Sequence, residues 1–105
     1  MKIQVNTDKN IEGHKALVAH VEATVASSLS RFSTLITRVE VHLSDENGGK
    51  NGQYDKRCMM EARLEGRQPT AVTCEASTLD QAVAGAADKL KSSLTSTVDR
   101  LREHR

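Results

Sequence analysis

"TRVEVHL", from Thr37 to Leu43, sets Val39, Val41 and Leu43 on one side of an extended chain and Arg38, Glu40 and His42 on the other. Side chains alternate along a strand, so this period of two reads as a half-buried strand. The pattern returns twice downstream. "KRCMMEARLE" (56–65) places Cys58, Met60, Ala62 and Leu64 against Arg57, Met59, Glu61, Arg63 and Glu65. After the turn Gly66-Arg67-Gln68-Pro69, "TAVTCEA" (70–76) directs Val72, Cys74 and Ala76 inward. Three such runs in series, each with a single apolar side, predict antiparallel strands with one buried face and one wet face.

Upstream, Lys2 to Asn6 alternates around Ile3 and Val5 and predicts a first strand. From His14 to Phe32 the period changes: Leu17, Val18, Val21, Val25, Leu29 and Phe32 recur at three and four, one stripe of a helix. Between the second and third strands lies the polar, Gly-rich loop "SDENGGKNGQ", with Gly48 to Gly52 at its centre. At the far end "STLDQ" offers Ser77 or Thr78 as an N-cap with Asp80 or Gln81 three residues on. Leu79, Val83, Ala86, Leu90, Leu94, Val98 and Leu101 then hold helical register to the end. The predicted fold is α+β: one β-α-β-β-β-α domain over residues 1–105, a four-stranded sheet with both helices on its single apolar face. With 37% hydrophobic but only 2% aromatic residues, its core has to be aliphatic.

Several function classes find no support. Fifteen Lys and Arg against fourteen Asp and Glu leave a net charge of +1, so any anion-binding face has to come from local segregation of charge. No apolar run approaches the ~18 residues of a membrane span, and Met1-Lys2-Ile3 opens into a strand pattern instead of a signal peptide, which points to the cytoplasm. His14, His20, His42 and His104 stand on separate elements without ligand spacing, so no metal site is expected. No serine occupies a nucleophile elbow, and "ENGGKNG" lacks the Lys-Ser/Thr end of a phosphate loop. The chain is expected to be no enzyme and to need no cofactor or small-molecule substrate. Cys58 and Cys74 both fall on inward positions and are expected to be buried free thiols. If the Gly66–Pro69 hairpin pairs Ala62 with Cys74, Cys58 lies roughly 13 Å further along its strand, too far for a disulfide.

Charge on the wet faces is what remains. Arg38, Arg57 and Arg63 alternate with Glu40, Glu61 and Glu65, as in an ordinary solvated sheet neutralised by cross-strand pairs. The last helix differs: in "DKLKSSLTSTVDRLREHR" (88–105) Lys89, Lys91, Arg100 and Arg102 are opposed only by Asp88, Asp99 and Glu103. Cations in a final turn also meet the helix dipole favourably, so Arg100, Arg102 and Arg105 have a purely structural explanation as well. Lys89 and Lys91 lie about 200° apart on a helix and flank the packed Leu90.

"KIQV", "AHVEATVASSLSRF", "ITRVEVHLS", "MEARLEG", "AVTCEAS" and "LDQAVAGAADKLKSSL", in that order and nearly end to end, resemble the ribosome-associated inhibitor and hibernation promoting factor family. Val39-Glu40-Val41, Ala82-Val83 and Lys89-Leu90 carry most of that likeness. The resemblance implies a cytoplasmic protein seated in the small ribosomal subunit between head and body, where it blocks the tRNA and mRNA path by its volume. It implies ribosomal-RNA contacts from basic residues of the helices, here Lys89, Lys91, Arg100 and Arg31. The length is that of the family's short forms, for which a monomer is the expected state. The chain departs from the pattern at Ser92, Ser93, Thr95, Ser96 and Thr97 in the second helix and at Thr24, Ser27 and Ser28 in the first, where relatives carry Arg or Lys; Thr78-Leu79-Asp80 replaces a common Asp-x-Tyr. Each missing phosphate contact reduces counterion release, and with it affinity and salt dependence. The alternative is a stress-related protein- or RNA-interaction module of the same fold that does not bind ribosomes.

Overall fold

The period-two stretch lies inside the longest strand among the described residues, Ile36–Asp45. A computed structural model of the protein describes residues 1–11, 14–46 and 55–103. In chain order these form strand β1 (Lys2–Thr7), helix α1 (His14–Ser28), a 3-10 turn at Ser30–Phe32, strands β2 (Ile36–Asp45), β3 (Lys56–Leu64) and β4 (Thr70–Ala76), and helix α2 (Leu79–Glu103). This is the expected order. The loop around Gly48–Gly52, His104, Arg105 and the side chains of His14, Arg102 and Glu103 lie outside what is described.

The sheet order is β1-β2-β3-β4. α1 carries the chain back across the sheet, so β1 and β2 run parallel, whereas the two later pairs are antiparallel. Both helices cover the same face, α2 on β3 and β4, α1 on β1 and against α2. Val39, Val41, Leu43, Cys58, Met60 and Ala62 point up from the strands into Val21, Val25, Leu29 and Phe32 of the first helical segment and Ala82, Val83, Ala86, Leu90 and Leu94 of α2, all of them buried. Small residues on α2 let it approach the sheet closely. At the start of α2 the Thr78 hydroxyl accepts from the Gln81 amide at 3.1 Å, and Ser77 Oγ donates to the Gln81 side chain at 3.0 Å. The cap is therefore Thr78, one of the two expected residues.

The β3–β4 register differs from the sequence expectation. Cys58 stands opposite Cys74, and Ala62 opposite Thr70. Pairing Ala62 with Cys74 would centre the hairpin on residue 68; the observed pairs centre it on residue 66, halfway between 58 and 74. Gly66 explains the difference, because at φ +73 it holds the left-handed conformation that a side chain disfavours, and the chain reverses there, with the Arg67 amide donating to the Leu64 carbonyl at 3.0 Å. The two cysteines are thus direct cross-strand neighbours, although both remain free thiols. Cys58 is buried, and burial, with the adjacent Cys74, pushes its thiol up to about 12. Cys74 and Val72 are only half-buried, contrary to expectation, because β4 is the edge strand of the sheet.

β2 also runs two residues further than its apolar alternation, through Ser44 and Asp45. Lys56 on β3 faces Asp45 across the ladder and binds two buried carboxylates, Asp45 at 3.3 Å and Asp55 at 3.0 Å. The Asp45 amide donates to Asp8 at 3.1 Å and its carbonyl accepts from Asn10 at 3.3 Å, which ties the segment after β1 to the same corner. This clamp closes the base of the β2–β3 connection. The Asp55 contact, followed by Asp45, raises the Lys56 ammonium above its ordinary range.

Two measurements check this packing. An ideal Cβ on Gly85 would collide with Cys74 Sγ, so Gly85→Ala is expected to destabilise the parent yet stabilise a Cys74→Ala background by up to about 1 kcal/mol, the helix-propensity difference between Gly and Ala. Equal effects in both backgrounds, read by urea unfolding, would refute the contact. Lys56→Met removes a cation that two buried carboxylates share and is expected to lower the melting temperature. Because the folded value of Lys56 is raised, its stabilisation is complete below the ordinary lysine value of 10.5 and disappears as pH climbs through the folded value. The parent and Lys56→Met melting temperatures are therefore expected to converge above that pH.

Candidate nucleic-acid interface

Placement of the four candidate cations follows from the way α2 lies on the sheet. The stripe Val83, Ala86, Leu90 and Leu94 faces the core, so residues about 100° to either side form two flanks. Lys89 falls on the flank over β4, where its ammonium donates to the Thr73 carbonyl at 2.8 Å. Arg100, eleven residues and three turns later, returns to that flank roughly 16 Å further along the axis. Lys91 takes the other flank, in line with Asp80, which pairs with His20 of α1 at 3.0 Å. The two lysines are thus divided between the outer edge of the sheet and the seam between the helices. Arg31 stands apart from both, in the 3-10 turn after α1, with its guanidinium 4.9 Å from the centroid of the buried Phe32 ring.

All four are exposed, but their freedom differs. Lys91 makes no side-chain hydrogen bond or ion pair with any described residue, whereas Lys89 is committed to β4 and Arg100 reaches Thr97 Oγ1 at 3.5 Å. Thr95 and Thr97 donate to the carbonyls of Lys91 and Ser93 one turn back, at 2.8 and 3.1 Å. Their protons are spent on the helix backbone. Ser92 and Ser96 are exposed and make no hydrogen bond with a described residue, so their hydroxyls remain available as neutral donors between Lys89 and Arg100. The flank over β4 reads cation, hydroxyl, hydroxyl, cation. That arrangement can hold a phosphate backbone with fewer charges than an unbroken basic helix.

The open face of the sheet departs from the expected neutralisation. Across β1, β2 and β3 the register aligns Lys2 with Arg38 and Arg38 with Arg63, and the next outward row aligns Gln4, Glu40 and Glu61. Like therefore faces like. Among the described residues of this open face, opposite charges stand in register only at Arg57 and Glu75, and the ion pair that Arg57 makes is with Glu46, at 3.7 Å. Compensation instead runs along the strand: Arg38 donates to Glu40 two residues on, and that bond lowers the Glu40 carboxyl below its ordinary value. The row was hidden from sequence reading because alternation assigns residues to a face without saying which residues stand opposite; the β2–β3 register supplies what was missing.

Compared with known proteins, residues 3–102 match the family model described as Sigma 54 modulation protein / S30EA ribosomal protein. The fold is similar to that of the Thermus thermophilus Protein Y N-terminal domain, at 25% identity over 89% of this chain and 94% of that one, with a TM-score of 0.69. A ribosomal subunit interface protein from Coxiella burnetii superposes with a TM-score of 0.70, over 94% of this chain and 99% of that one, at 16% identity, a likeness of fold alone. Among curated protein sequences there is no significant match. Because Lys89 is held by one exposed hydrogen bond, Lys89→Met is expected to leave the unfolding midpoint almost unchanged; a large loss of stability would make Lys89 a packing residue and remove it from the interface.

Proposed function

The chain belongs to the Sigma 54 modulation protein / S30EA ribosomal protein family, and from that premise we propose that it binds the small ribosomal subunit and idles translation by filling the tRNA and mRNA path. Members of this family are ribosome-binding proteins without enzymatic activity. The observation that carries the reading is the extent of the match, which runs from β1 to the last turn of α2 without a gap in the order of elements. The proposal takes residues 1–105 as one ribosome-associated-inhibitor-like domain, acting in the cytoplasm as a monomer.

Mechanically, the work is occupancy. A rigid α+β body excludes other ligands from the space it fills, and cations on its surface supply affinity through phosphate contacts that carry no sequence information. Lys91 supplies the least committed charge, Arg31 a charge held in place by Phe32, and Lys89 with Arg100 the two ends of the hydroxyl-filled flank. No cofactor and no turnover enter this account. Interrupted basicity keeps the affinity moderate, which suits a protein that has to leave when translation resumes.

Replacing Lys89, Lys91, Arg100 and Arg31 together by Ala is expected to abolish ribosome pelleting with the circular dichroism spectrum unchanged, since exposed charges contribute little to stability. Ser92→Arg with Ser96→Lys is expected to tighten binding and steepen its salt dependence, by about 0.9 in log–log slope for each additional duplex phosphate neutralised. If neither variant shifts the bound fraction, the helix face is not the contact. Binding indifferent to salt favours instead the protein-interaction module, the reading that the net charge of +1 leaves open.

A further inference from the structure

We propose that the row formed by Lys2, Arg38 and Arg63 on the open face of the sheet, continued by Arg67, is a second RNA contact that holds a single phosphodiester strand. It rests on the ribosome-binding reading for the source of the RNA, but not on the helix cations, which lie on the opposite side of the sheet.

The row is built by register. Lys2 and Arg38 are direct partners across β1 and β2, and Arg38 and Arg63 across β2 and β3. Adjacent strands lie about 4.8 Å apart, so the three strand positions span roughly 10 Å, about one Debye length at 0.1 M salt, and act on an incoming phosphate together. Like charges placed directly opposite one another destabilise a sheet, so in the free protein the row opposes folding. Glu40 relieves Arg38 by a direct bond and Arg63 only through its field; neither Lys2 nor Arg63 forms an ion pair with a described residue. A bound polyanion removes that repulsion. The three cations line a depression of about 350 Å³ with Thr37, Glu40 and Glu61, and Thr37 and Arg63 also border the neighbouring cleft that extends to Arg67 and the Gly66 turn.

The second row selects the kind of anion. Gln4, Glu40 and Glu61 run alongside the cations, and the two carboxylates repel any broad acidic surface, such as the face of an acidic protein. A single RNA strand avoids that conflict. With its phosphates over the cations it directs 2′-hydroxyls and base N–H groups toward the carboxylates, which accept hydrogen bonds from both. The described open face carries no aromatic residue on which bases could stack, so the contact is expected to tolerate sequence.

The test uses the full chain and a fluorescent single-stranded oligouridylate, with ribosome pelleting as a separate arm. Replacing Lys2, Arg63 and Arg67 by Ala is expected to lower the log–log salt slope for the oligonucleotide by about 2, at about 0.7 for each single-strand phosphate no longer neutralised. Glu61→Gln is expected to tighten binding. The helix quadruple variant is expected to keep oligonucleotide binding by the sheet while no longer pelleting with ribosomes. An unchanged slope in the sheet variant, or equal weakening of binding to polyglutamate and to oligouridylate, overturns the proposal. Failure of the parent to pellet with ribosomes while the sheet variant still releases the oligonucleotide rejects the ribosomal source and leaves the RNA surface standing.

Discussion

Burial of Val39, Val41 and Leu43 under the two helices is the constraint on which the rest of the molecule depends. These residues lie at 0 to 2% exposure, and because strand side chains alternate, a slip of one residue would exchange them for Arg38, Glu40 and His42. The register of β2 is therefore locked from inside. β1 and β3 pair with it on both sides, so what happens on the wet face is dictated by the core: Arg38 cannot avoid standing between Lys2 and Arg63. A charge arrangement that looks unfavourable for a sheet by itself is thus imposed by the most favourable packing the chain can make.

The scarcity of large aromatic residues shapes the rest. Phe32 is the one phenylalanine in the chain, and the core around it is filled by aliphatic and small residues. Ala82, Ala86 and Ala87 let α2 settle close to β3 and β4, and Gly85 permits Cys74 to stand beneath it. Closeness has a consequence for function: with its apolar stripe pressed to the sheet, α2 exposes two separate flanks, not one continuous basic face. Lys89 and Arg100 share one of them, and Lys91 has the other.

Much of this was legible in the sequence, and the reasons are specific. The β-α-β-β-β-α order follows from changes of period at Thr37 and after Ala76, and the cap at Thr78 from its hydroxyl and the Gln81 that follows. The hairpin register was not legible, because Gly66-Arg67-Gln68-Pro69 offers both a glycine and a proline as the pivot, and only the backbone of Gly66 decides between them. Nor was the Lys56 clamp, whose carboxylates, Asp45 and Asp55, look like loop residues until β2 is seen to extend to meet them. At the candidate interface the division of Lys89 from Lys91 was readable from helical geometry alone. The bond from Lys89 to Thr73 required the relative placement of α2 and β4, which no local pattern contains.

On the proposed reading, this fold with its sparse but placed cations is a ligand of small-subunit RNA. Fractionating a stationary-phase lysate on a sucrose gradient at low magnesium, where the ribosomal subunits separate, tests it most directly. The protein is expected to sediment with the small subunit and to leave it as salt is raised; recovery at the top of the gradient at every salt concentration, or with the large subunit, rules that reading out.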